Sequence, residues 1–527
     1  MTNTQLDKLL QGHKDLQKYL FVRGFLFTNR DDLDLNKFPF YGNWTKEPMG
    51  NGYFAYVHCM QKGYWVEKDG NIFFLFGHAY NCFTMQYDEN IILQRIADSY
   101  GTDKYQDYVD EMTGLFVCGV IKKDSVEFLV DPAGMQSACY GAIDGNLYIS
   151  SHPQLIGDIC SLTKADLVNE LIDYKWYYRI LGPYLPADMT PFDQVKRIVP
   201  DMWYTYKSGK ISHKRFYPLR DLSECKTEAE YNDVIVQAAD ILKKNMELVL
   251  QKWENPQISL SGGIDSNTTF AAANGMYDKV KTFSFVSAEK ESIDAEAAKV
   301  IAGKFNVEHS EYIIPETTDS LKNYDEIVEI IEHNNGYIAK GRKNEYRKRV
   351  FLMENLTAEA EIKSWVSESI RAYWYKYLGR KTMPKMSPKL FRNLYKIFTF
   401  NRGLAHKIDD VFAKYIDEFE YDKIPPQYSM ADMHYHEVSW GSWGGLNISE
   451  MKIYSDIIII YNNRKFLDLL FRVPLDKRIS DQHHLDMKKY LNKDLYDMNI
   501  RIKNMEETNF RAFMLNVIFT INSILPF

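Results

Sequence analysis

Over the first 220 positions, apolar residues come in short runs separated by turn-formers. GYFAYVHCM, NIFFLFGH, TGLFVCGVI, SVEFLVD, NLYISS and DMWYTYKSG are rich in β-branched and aromatic residues. Lys68-Asp69-Gly70-Asn71 and Asp144-Gly145-Asn146 read as turns between them. One helix-like stretch, Asp88 to Tyr100, interrupts the strands. Many short strands with few helices predict stacked sheets.

The pattern changes near Lys226. Thr227-Glu228-Ala229-Glu230 has the form of a capping box, and Ile235, Ala238, Ala239, Leu242, Met246, Val249 and Leu250 follow at helical spacing as far as Glu254-Asn255-Pro256. Gln257-Ile258-Ser259-Leu260 reads as a short buried strand running into Ser261-Gly262-Gly263-Ile264-Asp265-Ser266 and an Ala-rich helix. KTFSFVS, DAEAAKVIAGKF and EHSEYII continue as strand, helix, strand, an order that predicts a parallel sheet with helices on its faces. Beyond Ser320 the chain reads mostly helical. At the far end Phe510, Phe513, Met514, Val517, Ile518, Ile521, Ile524 and Leu525 keep a 3.6-residue period, interrupted by Arg511, Asn516, Thr520 and Asn522. That is an amphipathic helix, expected to dock on the protein, with a membrane surface or a partner as the alternative. The reading is therefore two units, 1–220 and 226–527.

Composition narrows the classes. With 527 residues, 45% hydrophobic and 26% charged, the chain is an ordinary globular one, and its net charge of −7 speaks against a protein built to grip nucleic acid. Six scattered cysteines without a CxxC pair form neither a disulfide framework nor a zinc site, and His483-His484 lacks a matching ligand spacing. Neither a secretory signal nor a membrane-spanning run is visible, so a cytoplasmic protein is expected.

The chemistry concentrates at SGGIDS. Ligands of open parallel sheets sit beyond the carboxyl ends of the strands. Gly262 and Gly263 expose backbone N–H groups, and the helix opening at Ile264 adds partial positive charge. Ser259, Ser261 and Ser266 supply hydroxyls, and Asp265 is a hard oxygen ligand for Mg²⁺. Together they form a pyrophosphate cradle; the alternative is a glycine turn with a Ser or Asp helix cap.

At these residues the sequence resembles the ATP-pyrophosphatase enzymes, and in chain order asparagine synthase with its relatives β-lactam synthetase and lasso-peptide cyclase. Asp131-Pro132-Ala133-Gly134, Tyr140-Gly141 and Tyr148-Ile149-Ser150-Ser151 are similar to the end of the family's N-terminal amidotransferase-like domain. Ile460-Tyr461-Asn462-Asn463-Arg464 before FLDLLFRVP is similar to its PFLDHRLVE helix. The resemblance implies α/β with α+β architecture: a degenerate αββα amidotransferase-like sandwich, then a parallel-sheet α/β ATP-pyrophosphatase domain with a helical extension. It implies a ligase that uses ATP and Mg²⁺ to adenylate a small-molecule, glycan or peptide carboxylate and passes the acyl group to an amine or ammonia. A peptide-modifying, lasso-type cyclase and a non-catalytic nucleotide-binding scaffold are the alternatives, and a homodimer is an open option.

Three departures qualify the resemblance. Thr2 stands where glutamine-hydrolysing members carry their cysteine nucleophile, so glutaminase activity is not expected. The family's SGEGADE-type loop is answered only by Ser367-Glu368-Ser369-Ile370-Arg371. There Glu368 would be a second metal ligand and Arg371 a phosphate contact, against the alternative of an i,i+3 surface pair. Tyr373 or Tyr375 with Glu437, and Lys488 or Lys489, are candidates for the Tyr–Glu base and late lysine of the β-lactam synthetase relatives. Glu368-x-x-Arg371 and Tyr435-His436-Glu437 resemble asparagine-synthase-like proteins of bacterial surface-polysaccharide clusters. Nine basic residues and no acid between Lys376 and Lys407 predict a solvated insertion or a dock for an anionic substrate.

Overall fold

The computed structural model describes residues 2–398, 401–500 and 509–524. Twelve strands build the first half: β1 (Phe25–Thr28), β2 (Trp44–Gly50), β3 (Tyr53–His58), β4 (Gly63–Lys68), β5 (Asn71–Asn81), β6 (Met112–Ile121), β7 (Ser125–Val130), β8 (Cys139–Ile143), β9 (Asn146–Ser150), β10 (Lys196–Arg197), β11 (Met202–Lys207) and β12 (Lys210–Arg215). They form two antiparallel sheets, ordered β10-β8-β9-β1-β3-β2 and β12-β11-β7-β6-β5-β4. Rings interlock between the inner faces: Phe25 stacks on Phe76 at 4.8 Å and Phe27 on Phe74 at 5.0 Å. The outer face of the second sheet is covered by helix Glu89–Ser99, whose Ile92, Leu93 and Ile96 join Phe73, Leu75 and Phe116. That double coverage explains why every residue of β6 is buried instead of alternating.

The second half holds a parallel sheet of β13 (Pro256–Ser259), β14 (Lys281–Val286), β15 (Glu308–Ile313), β16 (Ala360–Ile362) and β17 (Asp456–Ile458), ordered β15-β14-β13-β16-β17. The strand that feeds SGGIDS is thus the central one. The architecture is mixed α/β, as expected, and the two halves share one hydrophobic core. Asn245, on helix Glu228–Lys252, receives a bond from Thr113 of β6 and donates to the Ile460 carbonyl at 2.9 Å, tying sandwich to sheet.

Two local expectations shift. The box at Thr227 closes on one side only: its hydroxyl accepts from the Glu230 N–H, while the Glu230 carboxylate reaches past it to the Lys226 N–H at 2.7 Å. The stretch beyond Ser320 is mostly helical, as expected, and also supplies the short strands β16 and β17.

The C-terminal helix Asn509–Ile524 docks, but through Leu515, Ile518, Phe519 and Asn522. Phe513, Met514 and Ile521 of the expected stripe stay exposed, and the side chains of Phe510, Ile524 and Leu525 lie outside the described residues. Arg380 turns the helix: it bonds Asn516 and Thr520 and lies over the Phe519 ring, so polar positions face the protein. Among the described residues no helix is long and apolar enough to cross a membrane.

Candidate functional site: the glycine loop and the Asp265 cluster

Central β13 ends at Ser259, and the next helix, Ile264–Ala272, starts after four residues. The turn is fixed from within. Ser266 Oγ lies 2.9 Å from Ser261 Oγ and donates to the Ser261 and Gly263 carbonyls, and Asn267 Nδ2 donates to the same two oxygens. Gly263 is the cap residue, at φ −71°, ψ 152°, and no side chain caps the helix. That conformation suits any residue, so what glycine contributes here is bare backbone. The Gly263 N–H donates to Ser261 Oγ at 3.2 Å, and a helix start without a side-chain cap is a place for an anion. The Gly262 N–H meets Asp294 Oδ1 at 3.2 Å, which brings a second acid to the loop.

Asp265 does not serve as the helix cap. Its Oδ1 accepts from Ser367 Oγ at 2.7 Å, and its Oδ2 from the Arg371 guanidinium. Arg371 spends its other edge on Asp481, Nε and Nη2 each 2.8 Å from a carboxylate oxygen, and Lys376 closes on the same carboxylate. His484 Nε2 stands 3.4 Å from Asp265 Oδ1. Burial pushes Asp481 up, yet the hydrogen bonds and charges of Arg371 and Lys376 hold it well below the carboxylate range. Lys376 falls to about 8, through burial and then the neighbouring Arg371.

Glu368 rises to about 8, because burial and then the charge on Asp265 outweigh the attraction of Arg371. Both causes favour the protonated form of Glu368. Two carboxylates, Asp265 and Asp481, stand against two cations, Arg371 and Lys376, and the cluster is balanced.

The structure brings Asp265, Glu368 and Arg371 together with Ser259, Ser261, Gly262, Gly263, Ile264 and Ser266. It does not bring Glu437 there. Glu437 lies fully buried in a two-pronged ion pair with Arg215 and accepts from Tyr421, so it has neither Tyr373 nor Tyr375 as a bonded partner. Tyr373 stacks on Tyr435 at 4.2 Å, Tyr375 bonds Ser429, and both Lys488 and Lys489 lie near the Tyr496 ring.

The basic segment is not one surface. Lys376 belongs to the cluster, Arg392 is buried against Asp409, and buried Lys396 donates to the carbonyls of Arg179, Ile180 and Gly182. Only some of its members, Lys381 and Lys385 among them, are exposed.

Sequence reasoning missed Asp481 and Asp294, which no local motif announces; it gave Ser367 no role of its own within the Ser367–Arg371 segment and considered His484 only as a zinc ligand. It also missed Trp365, which follows β16 and packs on Trp440 at 5.6 Å and Trp443 at 5.3 Å, an aromatic wall two residues from Ser367. Val366 between them adopts φ +73°, a strained conformation for a β-branched residue and one that marks functional loops.

Comparison with curated proteins returned no match. Similar solved structures include the allosteric regulatory enzyme of purine biosynthesis, at 10% identity and TM-score 0.25, covering 63% of this chain and 85% of that one. Glutamine phosphoribosylpyrophosphate amidotransferase from B. subtilis, complexed with ADP and GMP, gives 8% identity and TM-score 0.21 over 68% of this chain and 73% of its own. Glutamine-dependent NAD+ synthetase from Acinetobacter baumannii, in complex with ADP, gives 13% and 0.20 over 46% and 50%. Residues 239–341, which enclose the SGGIDS loop and Asp294 and stop short of Glu368, match the family model for asparagine synthase.

Proposed function

We propose that this protein is an ATP-dependent, AMP-forming amide ligase. A substrate carboxylate oxygen attacks the α-phosphorus of ATP, the bond to the bridging oxygen breaks, and pyrophosphate leaves. The nitrogen of an amine or ammonia then attacks the acyl carbon, loses a proton, and AMP departs with the carbon–oxygen electron pair. The asparagine synthase match supports an ATP-using ligase. The observation that carries the reading is the SGGIDS turn at the carboxyl edge of the central strand, its helix start without a side-chain cap and its Asp265 held by Arg371 instead of capping the helix.

The loop amides and the helix start would hold the pyrophosphate portion, and Arg371 and Lys376 would offset its charge. Among the described residues no group of three His, Cys, Asp or Glu gathers as a metal cage. Two carboxylates plus phosphate oxygens are the ordinary setting for Mg²⁺, and Asp265 with Glu368 fits it. Burial first and the charge on Asp265 second raise Glu368, and a divalent cation between the two carboxylates would favour its ionised form. When bound, the metal would balance charge on the leaving pyrophosphate. Glutamine hydrolysis is not part of the proposal: burial pushes the Cys82 and Cys118 thiols up to about 12, away from the nucleophilic thiolate. The second reading, a nucleotide-binding scaffold without chemistry, draws on the fact that Arg371 already neutralises Asp265.

ATP–pyrophosphate exchange with a panel of carboxylic acids separates the two. Acid-dependent exchange is expected, falling on the order of 10²–10³-fold in Asp265→Asn. Exchange that stays near wild type in Asp265→Asn at limiting Mg²⁺ would refute the assignment, and ATP binding without exchange for any acid would favour the scaffold.

A further inference from the structure

Between the sandwich and the parallel-sheet half lies a cavity of about 60 Å³, walled by the start of β8, residues 189–191 and the helical segment 441–449. We propose that it binds a small hydroxy- or amino-carboxylate, with Arg197 as the carboxylate's partner. The site is separate from the glycine loop and does not depend on the ligase reading.

Arg197 is 8% exposed and lines the cavity. Its Nη2 donates to the carbonyls of Ala187 and Glu437, each at 3.0 Å, its Nη1 reaches the Ile198 carbonyl at 3.4 Å, and its Nε has no partner. The other buried arginines all meet an acid: Arg215 with Glu437, Arg349 with Glu450, Arg392 with Asp409, Arg464 with Asp201 and Arg478 with Asp432. Among the described residues, none stands within ion-pair distance of Arg197. The carboxylate of nearby Glu437 is already taken by Arg215.

A buried charge without a counter-charge is costly, and an anion in the adjoining space removes that cost. Space for the guanidinium is kept at Gly441, where an added Cβ would sit 2.2 Å from Arg197 Nη1.

Two further unsatisfied atoms define the rest of the ligand. Asn335 Nδ2 is committed to Glu450 at 2.7 Å, which leaves its Oδ1 as an acceptor without a donor. His152 bonds Ser151 Oγ through Nδ1 at 2.7 Å and leaves Nε2 unpaired. Both residues line the same cavity. A carboxylate alone would satisfy Arg197; a hydroxyl or amine beside it would also satisfy Asn335. A cavity of about 60 Å³ holds on the order of five water-sized atoms, the size of glycolate or glycine.

The test is calorimetric titration of the full chain, without ATP, with glycolate, glycine and acetate, and with chloride and sulfate as comparisons. Saturable one-to-one binding of glycolate or glycine is expected, about tenfold weaker for acetate, which lacks the donor. Arg197→Met should abolish it. Should that variant fail to fold, Ser449→Met narrows the cavity without touching the charge and should weaken binding at least tenfold. Absence of saturable binding by any carboxylate, equal binding in Arg197→Met or Ser449→Met, or equal binding of chloride and sulfate would overturn the proposal.

Discussion

Glu437→Gln separates a structural carboxylate from a catalytic one. In the structure Glu437 takes both prongs of Arg215, at 2.6 and 3.1 Å, and the Tyr421 hydroxyl at 2.6 Å, with both charged side chains fully buried. Glutamine keeps one acceptor for Arg215 Nη1 but turns an amine toward Nη2 or the Tyr421 hydroxyl, setting donor against donor. It also strands the guanidinium charge, which besides that one bond retains the Phe419 and Tyr217 carbonyls and the Tyr421 ring face. Breaking one side of a buried pair costs about 3–5 kcal/mol. The retained bond argues for the lower part of that range. Urea unfolding followed by tryptophan fluorescence should show the loss, while ATP–pyrophosphate exchange per folded molecule stays within about twofold. The double variant Arg215→Met/Glu437→Leu removes both charges at similar volume and should regain most of the stability. The reasoning fails if Glu437→Gln costs under about 1 kcal/mol, or if exchange collapses while the unfolding midpoint stays put.

Two further outcomes follow from the geometry. Asp481→Asn removes the carboxylate that aligns Arg371 and anchors Lys376, so exchange should fall roughly 10- to 100-fold, a loss smaller than for Asp265→Asn; a rate equal to wild type would dismiss Asp481 as a positioning residue. Burial lowers His58 to about 4 and His434 to about 3, so below pH 6.5 the unfolded chain takes up these protons first and stability drops as pH falls toward those values. Over that window each histidine loses about 1.4 kcal/mol for every tenfold rise in proton activity. The two together should therefore cost about 3 kcal/mol between pH 8 and 5.5; urea midpoints that stay level over that range in wild type would contradict it.

What could be read in advance was what lies close together along the chain. SGGIDS is six consecutive residues whose glycines, hydroxyls and acid point to one chemistry, and the strand before it and helix after it carry their own periodicity. Glu368 and Arg371, three apart, were legible as a pair for the same reason. Asp481 was not: it meets Arg371 only because the chain returns after 110 positions, and no local pattern distinguishes it from other acids. Glu437 shows the converse. It stands beside suggestive neighbours in sequence, yet its partner Arg215 lies 222 residues upstream, so a candidate base turned out to be a sealed ion pair. The strands β16 and β17 span three residues each, too short for an alternation to register against the helical stretches around them.

In the C-terminal helix the period was visible and the orientation was not. Hydrophobicity alone turns Phe513, Met514 and Ile521 inward. One guanidinium, Arg380, satisfied by Asn516 and Thr520 on the flank of that stripe, was enough to fix the other orientation. Periodicity thus identifies an element, but the polar atoms that must be paired decide which way it faces. The same demand explains why Asp265 leans to Arg371 and Ser367 instead of capping its own helix. It also makes Arg197, a buried cation whose demand the protein itself leaves unmet, the feature that points to a second ligand.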